Sequence, residues 1–266
     1  MRIVWLTDLH LNFVGRDKIE ELVGSILSSG PDAILLTGDI SVASFLPGHL
    51  RDLADGLQLP IYFILGNHDY YGSSIRAVNV RIASLAARTP NLVWLSKAGV
   101  VHLTADTCLI GHEGLADGRL GDPWGSEVQL NDYYQIEELV QPSKVSRLAV
   151  QNHLGDTAAS HLRHQFKAAL AAGYRRILVA LHAPPFAEAC WHEGQLSSSE
   201  FLPHFACGAT GEVLKAAMEQ HHEVSMTVHC GHTHSSGEVK ILPNLQVLTA
   251  GAEYYRPQVV HILDVL

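Results

Sequence analysis

The sequence lacks the features of a secreted or membrane-spanning protein. It has only four cysteines in 266 residues, and because no two form a C-x-x-C pair we predict free thiols rather than a thiolate zinc site. No apolar run reaches the ~18 residues that a bilayer-spanning helix needs. The first residues also lack the long apolar stretch and small-residue cleavage site of a signal peptide. We therefore predict a cytoplasmic protein with no membrane association.

The chain is also short of positive charge. Its 18 lysines and arginines are outnumbered by 27 acidic residues, which gives a formal net charge of −9. Broad nucleic-acid binding depends on clustered positive charge, and since no basic tract is present we do not expect nucleic acid as a partner. Histidine, in contrast, is plentiful, with 17 copies. Because histidine is a common metal ligand, the positions of these residues are informative.

Strand-like and helix-like patterns alternate along the chain, which predicts a layered α/β fold. Apolar residues at helical spacing indicate a helix over residues 16–29, and a second helix is predicted over residues 73–88. Apolar runs typical of strands cover residues 2–7, 33–37, 61–65, 107–110, 176–181, 224–228, 246–249 and 259–265. No linker or internal repeat divides the chain, so we predict a single domain spanning residues 1–266.

One segment departs from this alternation. Residues from about 113 to 156 are rich in glycine, aspartate, proline, tryptophan and tyrosine. We interpret them as an insertion between a strand and a helix. Long irregular segments in compact domains are often functional, so we predict that this insertion is a lid or a binding loop.

Polar side chains follow five of the apolar runs at the point where each run ends. Ligands bind at the carboxyl ends of strands in open α/β sheets, and an extended backbone would point side chains two residues apart to the same face. Carboxylate, imidazole and amide groups suit Mn, Fe, Zn or Co. Each block alone is common in turns or cores, but the five in succession predict one shared metal site. The blocks are Asp8-Leu9-His10, Gly38-Asp39, Gly66-Asn67-His68-Asp69, His182 before Ala183, and Gly231-His232-Thr233-His234.

Together these blocks resemble the calcineurin-like metallophosphoesterase superfamily, whose pattern is D-x-H, G-D, G-N-H-[DE], H and G-H-x-H. The resemblance runs from Asp8 to His234 and so covers most of the chain. It implies a four-layer α-β-β-α sandwich within the α/β class. The second block, Gly38-Asp39-Ile40-Ser41, is closer to the bacterial phosphodiesterase-like branch than to the protein serine/threonine phosphatases. His68 stands where the lipid-A pathway branch usually has arginine.

The resemblance implies an enzyme with a dinuclear metal centre of Mn, Fe or Zn. Its substrate would be a small-molecule phosphomonoester or phosphodiester, with nucleotides as one candidate class, attacked by a metal-bound hydroxide. His68 would stabilise the transition state or protonate the leaving oxygen, and Asp69 would orient His68. Seven residues would be metal ligands: Asp8, His10 and His234 for one ion, Asn67, His182 and His232 for the other, and Asp39 for both.

Two residues outside the blocks are candidates for substrate contacts. His112 follows the strand that ends at Ile110, so its side chain is predicted to face the same crevice. Arg119 lies in the insertion and could pair with a phosphate through two hydrogen bonds. His192 and His204, in a second irregular stretch, are further candidates for the rim of the site.

Two other functions remain open at the level of sequence. One is a nuclease of the same superfamily, which would require a basic surface and a capping domain. The other is a non-catalytic scaffold on the same fold, although such proteins usually lose metal ligands. Every ligand position is filled in this chain, which favours the enzyme. The sequence does not indicate the oligomeric state.

Overall fold

The structure, a computed structural model, describes residues 1–265. Its strands are β1 (Arg2–Leu6), β2 (Ala33–Thr37), β3 (Ile61–Ile64), β4 (Leu92–Trp94), β5 (Val101–His102), β6 (Thr107–Gly111), β7 (Arg176–Ala180), β8 (Trp191–His192), β9 (Gln195–Leu196), β10 (Ser225–Cys230), β11 (Gly237–Leu242), β12 (Leu245–Thr249) and β13 (His261–Asp264). Its helices are α1 (Arg16–Ser28), α2 (Leu46–Leu57), α3 (Ile75–Ala86), α4 (Leu95–Ala98), α5 (Asp132–Gln135), α6 (Lys144–Ala171), α7 (Leu202–Phe205) and α8 (Gly208–Gln220). Single 3-10 turns cover Leu11–Phe13, His68–Tyr70, Glu137–Leu139 and Ala187–Ala189.

Most strands belong to two large and mainly parallel sheets. The first sheet has the order β13-β1-β2-β3-β4, with β13 antiparallel to its neighbour at one edge. The second has the order β11-β12-β10-β7-β6-β5, with β11 and β5 antiparallel at the two edges. The α/β prediction is therefore confirmed.

Three apolar layers hold the sheets and helices together. Between the sheets, Trp5 and Leu35 of the first sheet pack in one cluster with Leu109 and Ala180 of the second. Buried side chains of α1, α2 and α3 cover the other face of the first sheet. Helices α6 and α8 cover the other face of the second sheet. This order of layers is the four-layer α-β-β-α sandwich that the resemblance implied.

The irregular insertion is shorter than predicted. Helix α6 begins at Lys144, where the side chain of Ser143 accepts a hydrogen bond from the Ser146 amide as an N-cap. The segment predicted to reach residue 156 therefore ends at residue 143. The first half of α6 went unrecognised because it buries the polar side chains of Arg147 and Gln151, so its sequence shows no clear apolar stripe.

The arrangement of the sheets explains why the five polar blocks meet. The blocks follow β1, β2, β3, β7 and β10, which are parallel strands of the two sheets. Three blocks therefore leave the first sheet and two leave the second at the same end of the sandwich, and the space between them is shared.

Candidate active site

The carboxylate of Asp39 lies at the centre of the site. Its oxygens are 3.3 Å from His182 Nε2, 3.8 Å from His10 Nε2 and 3.9 Å from His68 Nε2. Asp39 also accepts a 2.8 Å hydrogen bond from the backbone amide of His68. Side chains from the first and third blocks and from the loop after β7 thus face one buried carboxylate.

The predicted ligands lie on both sides of Asp39. On one side, His234 Nε2 is 3.4 Å from Asp8 Oδ1 and 3.1 Å from His10 Nε2. On the other, Asn67 Oδ1 is 2.9 Å from His182 Nε2. The ligand atoms form three groups whose members lie within 4.8 Å of one another: Asp8 with His10 and His234, His10 with Asp39 and His68, and Asp39 with His182 and His232.

Five of these residues adopt a left-handed backbone conformation, with φ between 43° and 72°: Asp8, His10, Asp39, His232 and His234. The extended backbone expected for D-x-H and H-x-H is therefore wrong. Left-handed residues with side chains cost on the order of 1–3 kcal/mol each and persist where the surroundings enforce them. Here hydrogen bonds between the first and second blocks hold this conformation. The Asp8 amide donates to Gly38 O and the His10 amide donates to Asp39 O, both at 3.0 Å.

Two glycines are required because the site is crowded. A Cβ atom added at Gly66 would lie 2.1 Å from Asp39 Oδ1, and one added at Gly231 would lie 2.0 Å from Asp8 Oδ2. Neither glycine has a positive φ. Their role is therefore to let the backbone of one block approach the carboxylate of another.

Hydrogen bonds to carbonyl groups decide which imidazole nitrogen faces the site. A carbonyl oxygen only accepts, so His182 Nδ1 donates to Thr37 O at 2.9 Å and His232 Nε2 donates to His204 O at 3.3 Å. His182 Nε2 and His232 Nδ1 are left as the inward nitrogens. This pattern is typical of histidines that bind metals, whose other nitrogen donates to an outer partner.

Burial and mutual charge set the protonation of the site. Burial opposes the charge of Asp39, but the charges of His182 and His68 outweigh it and hold the pKa of Asp39 well below its usual range. Burial lowers the pKa of His10 to about 4. Burial also opposes the charge of His182, but Asp39 raises the pKa of His182 to about 10. A cation bound beside Asp39 would therefore take the place of the proton on His182. These donor atoms are thus chemically suited to bind a metal ion.

Comparison with known proteins supplies the family. A profile described as calcineurin-like phosphoesterase matches residues 1–236. The chain belongs to the calcineurin-like phosphoesterase family. The predicted resemblance is therefore confirmed.

Solved structures of the family share its fold. The chain is similar to phosphopantetheinyl hydrolase (PptH) from Mycobacterium tuberculosis, with a TM-score of 0.66 and 15% identity over 97% of this chain and 95% of that one. It is also similar to a dimetal phosphatase from Danio rerio, with a TM-score of 0.57 and 12% identity over 94% and 87% of the two chains. At these identities the likeness establishes the fold.

Curated relatives match over shorter segments. A transmembrane protein with metallophosphoesterase domain from Bos taurus is 31% identical over 125 residues, 40% of this chain and 28% of that protein. UDP-2,3-diacylglucosamine pyrophosphatase LpxG from Chlamydia trachomatis is 33% identical over 92 residues, 33% of this chain and 28% of that protein. The chain thus spans less than a third of these relatives. Within residues 1–265, no helix is long and apolar enough to cross a membrane.

Asp69 does not orient His68 as predicted. Its buried carboxylate accepts 2.8 Å hydrogen bonds from the backbone amides of Ser41 and Gly66. His68 and Asp69 are consecutive in the turn His68–Tyr70, and consecutive side chains of a helical turn do not face each other. Asp69 instead ties the second block to the third. The ring of His68 stacks on Tyr71, with centroids 4.2 Å apart.

The two residues predicted to contact substrate lie away from this cluster. Arg119 pairs with Asp117 at 3.1 Å and Asp156 at 2.8 Å, so its guanidinium is engaged in binding the insertion to α6. His112 Nδ1 lies 3.5 Å from Glu113, and His112 lines a different cavity of about 350 Å³ together with His161. His112 does lie at the end of β6, as predicted. This strand end, however, faces the cavity that His112 shares with His161.

The cavity beside the ligands has a volume of about 290 Å³ and several walls that the sequence did not predict. The insertion contributes Leu130, Asn131 and Asp132, while Phe205 and Tyr254 add aromatic rings. The predicted rim residue His192 also lines it. Apart from His192, only the unusual composition of the insertion indicated residues of this lining, since no motif surrounds Phe205 or Tyr254.

Proposed function

We propose that this chain hydrolyses phosphate esters of small molecules with two bound metal ions. The observation that carries the proposal is the convergence of carboxylate, imidazole and amide ligands from five strand ends on Asp39. Asp8, His10 and His234 would hold one ion, and Asn67, His182 and His232 the other, with Asp39 between them. The dimetal phosphatase and the pyrophosphatase among its relatives support this reaction class.

The chain's own residues divide the remaining work. Bound metals supply charge neutralisation for the phosphate oxygens and activation of water. His68, whose side chain is 15% exposed, reaches the cavity without belonging to the predicted ligand set, and would protonate the leaving oxygen or stabilise charge on it. Tyr71 would hold the imidazole of His68 in place by stacking.

The lining of the cavity favours a substrate in which the reacting phosphate is the only anionic group. Among residues 1–265, no lysine or arginine lines it, whereas Phe205, Tyr254 and Leu130 do. An uncharged apolar or planar leaving group, a nucleoside for example, would pack against these side chains. Because Leu130, Asn131 and Asp132 come from the insertion, we propose that residues 113–143 take part in substrate choice.

The test is a phosphate-ester assay on protein of known metal content. We expect Mn²⁺-loaded protein to hydrolyse mono- or bis-nitrophenyl phosphate. We expect Asp39→Ala to lose both metal and turnover, because the Asp39 carboxylate faces ligands proposed for each of the two ions. Metal per chain is measured by plasma mass spectrometry beside each assay. Normal metal content and turnover in Asp39→Ala would rule out the dinuclear proposal.

The His68→Ala variant separates catalysis from metal binding. We expect it to retain its metals and to lose about 10²- to 10⁴-fold in kcat, the usual contribution of a general acid. The loss should shrink for substrates with a good leaving group such as nitrophenol, since these need less protonation. Loss of metal from His68→Ala would instead make His68 a ligand.

A further inference from the structure

Asp132 is a buried carboxylate in the cavity wall that belongs to none of the five blocks. It stands at the start of α5 in the insertion, and only 7% of its surface is exposed. Its Oδ1 accepts a 2.8 Å hydrogen bond from Asn67 Nδ2 and a second, short hydrogen bond from the hydroxyl of Tyr71. Asp132 therefore contacts a proposed metal ligand directly and the neighbour of His68 as well.

The bond to Asn67 decides which way the Asn67 amide points. An amide carries an oxygen and a nitrogen of similar size, and only the oxygen has the lone pairs that a metal needs. In the structure Asn67 Oδ1 faces the ligand cluster, 2.9 Å from His182 Nε2. An ionised carboxylate only accepts hydrogen bonds, so an amide turned by 180° would set its oxygen against Asp132 and lose the bond. Asp132 thus selects the orientation that a metal requires.

The bond to Tyr71 extends the same control to His68. The Tyr71 ring stacks on the His68 ring with an interplanar angle of 27°, and its hydroxyl is held by Asp132. Tyr71 also receives a weaker 3.3 Å hydrogen bond from Asn67 Nδ2. One carboxylate therefore fixes both the amide and the ring against which the proposed acid stacks.

Asp132 can act in this way because its part of the insertion is anchored next to the third block. The Gly72 amide donates to Gln135 O at 2.9 Å, and the Glu137 amide donates to Ser73 O at 3.1 Å. The side chain of Glu138 accepts a 2.8 Å hydrogen bond from the Ile75 amide. These bonds hold α5 against the chain that follows His68.

We propose that Asp132 is a positioning residue, whose hydrogen bond to the Asn67 amide presents Asn67 Oδ1 to the metal that Asn67, His182 and His232 would hold. This inference rests on the proposed function for the presence of that metal. It assigns the insertion a role in metal binding in addition to its proposed role in substrate choice.

Metal binding without substrate tests the inference. Metal-free protein is titrated with Mn²⁺ by isothermal calorimetry. For Asp132→Ala we expect one of the two Mn²⁺ sites to weaken about 10- to 100-fold, the usual effect of removing an outer partner of a metal ligand, while the other stays as in the wild type. The matched control is Glu127→Gln, which removes one charge from an exposed position of the same insertion and should leave both sites unchanged.

A second variant covers the case in which Asp132→Ala does not fold, which thermal unfolding of the metal-free protein would reveal. Asp132→Asn keeps the size of the side chain and an acceptor oxygen but loses the charge. Because charge-assisted hydrogen bonds are about twice as strong as neutral ones, we expect a several-fold weakening at the same single site. Wild-type affinity at both sites in Asp132→Asn and in any folded Asp132→Ala would overturn the inference. Wild-type protein that binds two ions and cleaves no ester would contradict the proposed function alone.

Discussion

Single residues at this site adopt conformations that a motif does not reveal. The D-x-H and H-x-H blocks predicted paired ligands, and the side chains do converge, but Asp8, His10, His232 and His234 all lie in the left-handed region. Their spacing therefore predicts which residue types meet at the site but not the backbone conformation that brings them together. The geometry depends on contacts between loops that lie far apart in the sequence, such as the hydrogen bond from His232 N to Asp8 Oδ1 at 3.1 Å.

One close approach between two blocks leads to a prediction about Gly66. In Gly66→Ala the new methyl group would lie 2.1 Å from Asp39 Oδ1, so either the turn or the carboxylate must move. We expect weaker metal binding and a lower free energy of unfolding, checked by metal content and urea denaturation. The matched control is Gly48→Ala in α2, where a Cβ meets nothing within 4 Å, and which should be neutral or stabilising by about 0.4–1 kcal/mol. A Gly66→Ala protein with full metal content would show that the turn can relax.

The sequence did not identify the residues whose hydrogen-bond partners lie far away along the chain. Asp132 lies 65 positions from Asn67 along the chain and sits in an irregular segment with no motif around it. Asp69 was correctly placed beside the site, but its partners are backbone amides that only the folded loops bring near. Motif reasoning identified the proposed ligands because each of their blocks follows an apolar strand. The residues proposed to position those ligands follow no such pattern.

At the level of elements, buried strands were predictable and the helices less so. Strands β1, β2 and β3 are almost entirely buried, so each appears in the sequence as a continuous apolar run with clear ends. Helix α6 spans 28 residues, yet its first half was assigned to the insertion because polar side chains occupy part of its buried face. Strand β11 escaped prediction because its side chains are exposed or only partly buried.

The start of α8 illustrates how a polar residue can replace a local cap. The carboxylate of Asp117 is fully buried and accepts hydrogen bonds from the amides of Gly208 at 3.0 Å and Ala209 at 2.8 Å. It therefore caps α8 from a distant part of the chain, and Arg119 neutralises it. We expect Asp117→Ala to lower the free energy of unfolding by about 2–4 kcal/mol, because helix amides lose their acceptor and Arg119 its buried partner. Urea denaturation measures this loss.

Asp156 provides the matched control for Asp117, since it is the other carboxylate that pairs with Arg119. Its side chain is 66% exposed and it lies in the interior of α6 rather than at a helix end. Exposed ion pairs contribute about 0–1 kcal/mol, so Asp156→Ala should change stability little. Equal losses in the two variants would show that Asp117 contributes only its ion pair with Arg119 and that the cap is unimportant.

For the whole molecule, the proposed metal centre depends on how the two sheets pack. Asp8, Asp39 and Asn67 follow strands of the first sheet, whereas His182 and His232 follow strands of the second. Any shift between the sheets would separate one set of ligands from the other. The apolar layer between the sheets, with Trp5, Leu35 and Leu109, is therefore a structural requirement of the site.

His229 of β10 is a titratable group beside this layer, and its ring packs edge-on against Trp5 with centroids 4.8 Å apart. It is 1% exposed, its Nδ1 has no hydrogen-bond partner in the described part of the chain, and burial lowers its pKa to about 4. The unfolded chain binds this proton near pH 6.5 and the folded chain only near pH 4. The stability that neutral His229 contributes is thus present above pH 6.5 and lost as the pH falls towards 4. A difference of this size corresponds to up to about 3 kcal/mol.

We therefore expect His229→Leu to make stability less dependent on pH over this interval. In metal-free buffer, the free energy of unfolding of the wild type should fall more steeply between pH 6.5 and 4 than that of His229→Leu, by up to about one proton per chain. Other buried histidines, such as His10 and His204, also have lowered pKa values, so the remaining slope will not be zero. His222→Leu, at an exposed position, should keep the wild-type slope. Parallel curves for the wild type and His229→Leu would mean that His229 binds its proton equally well in the folded and the unfolded chain. The layer between the sheets would then tolerate a buried charge.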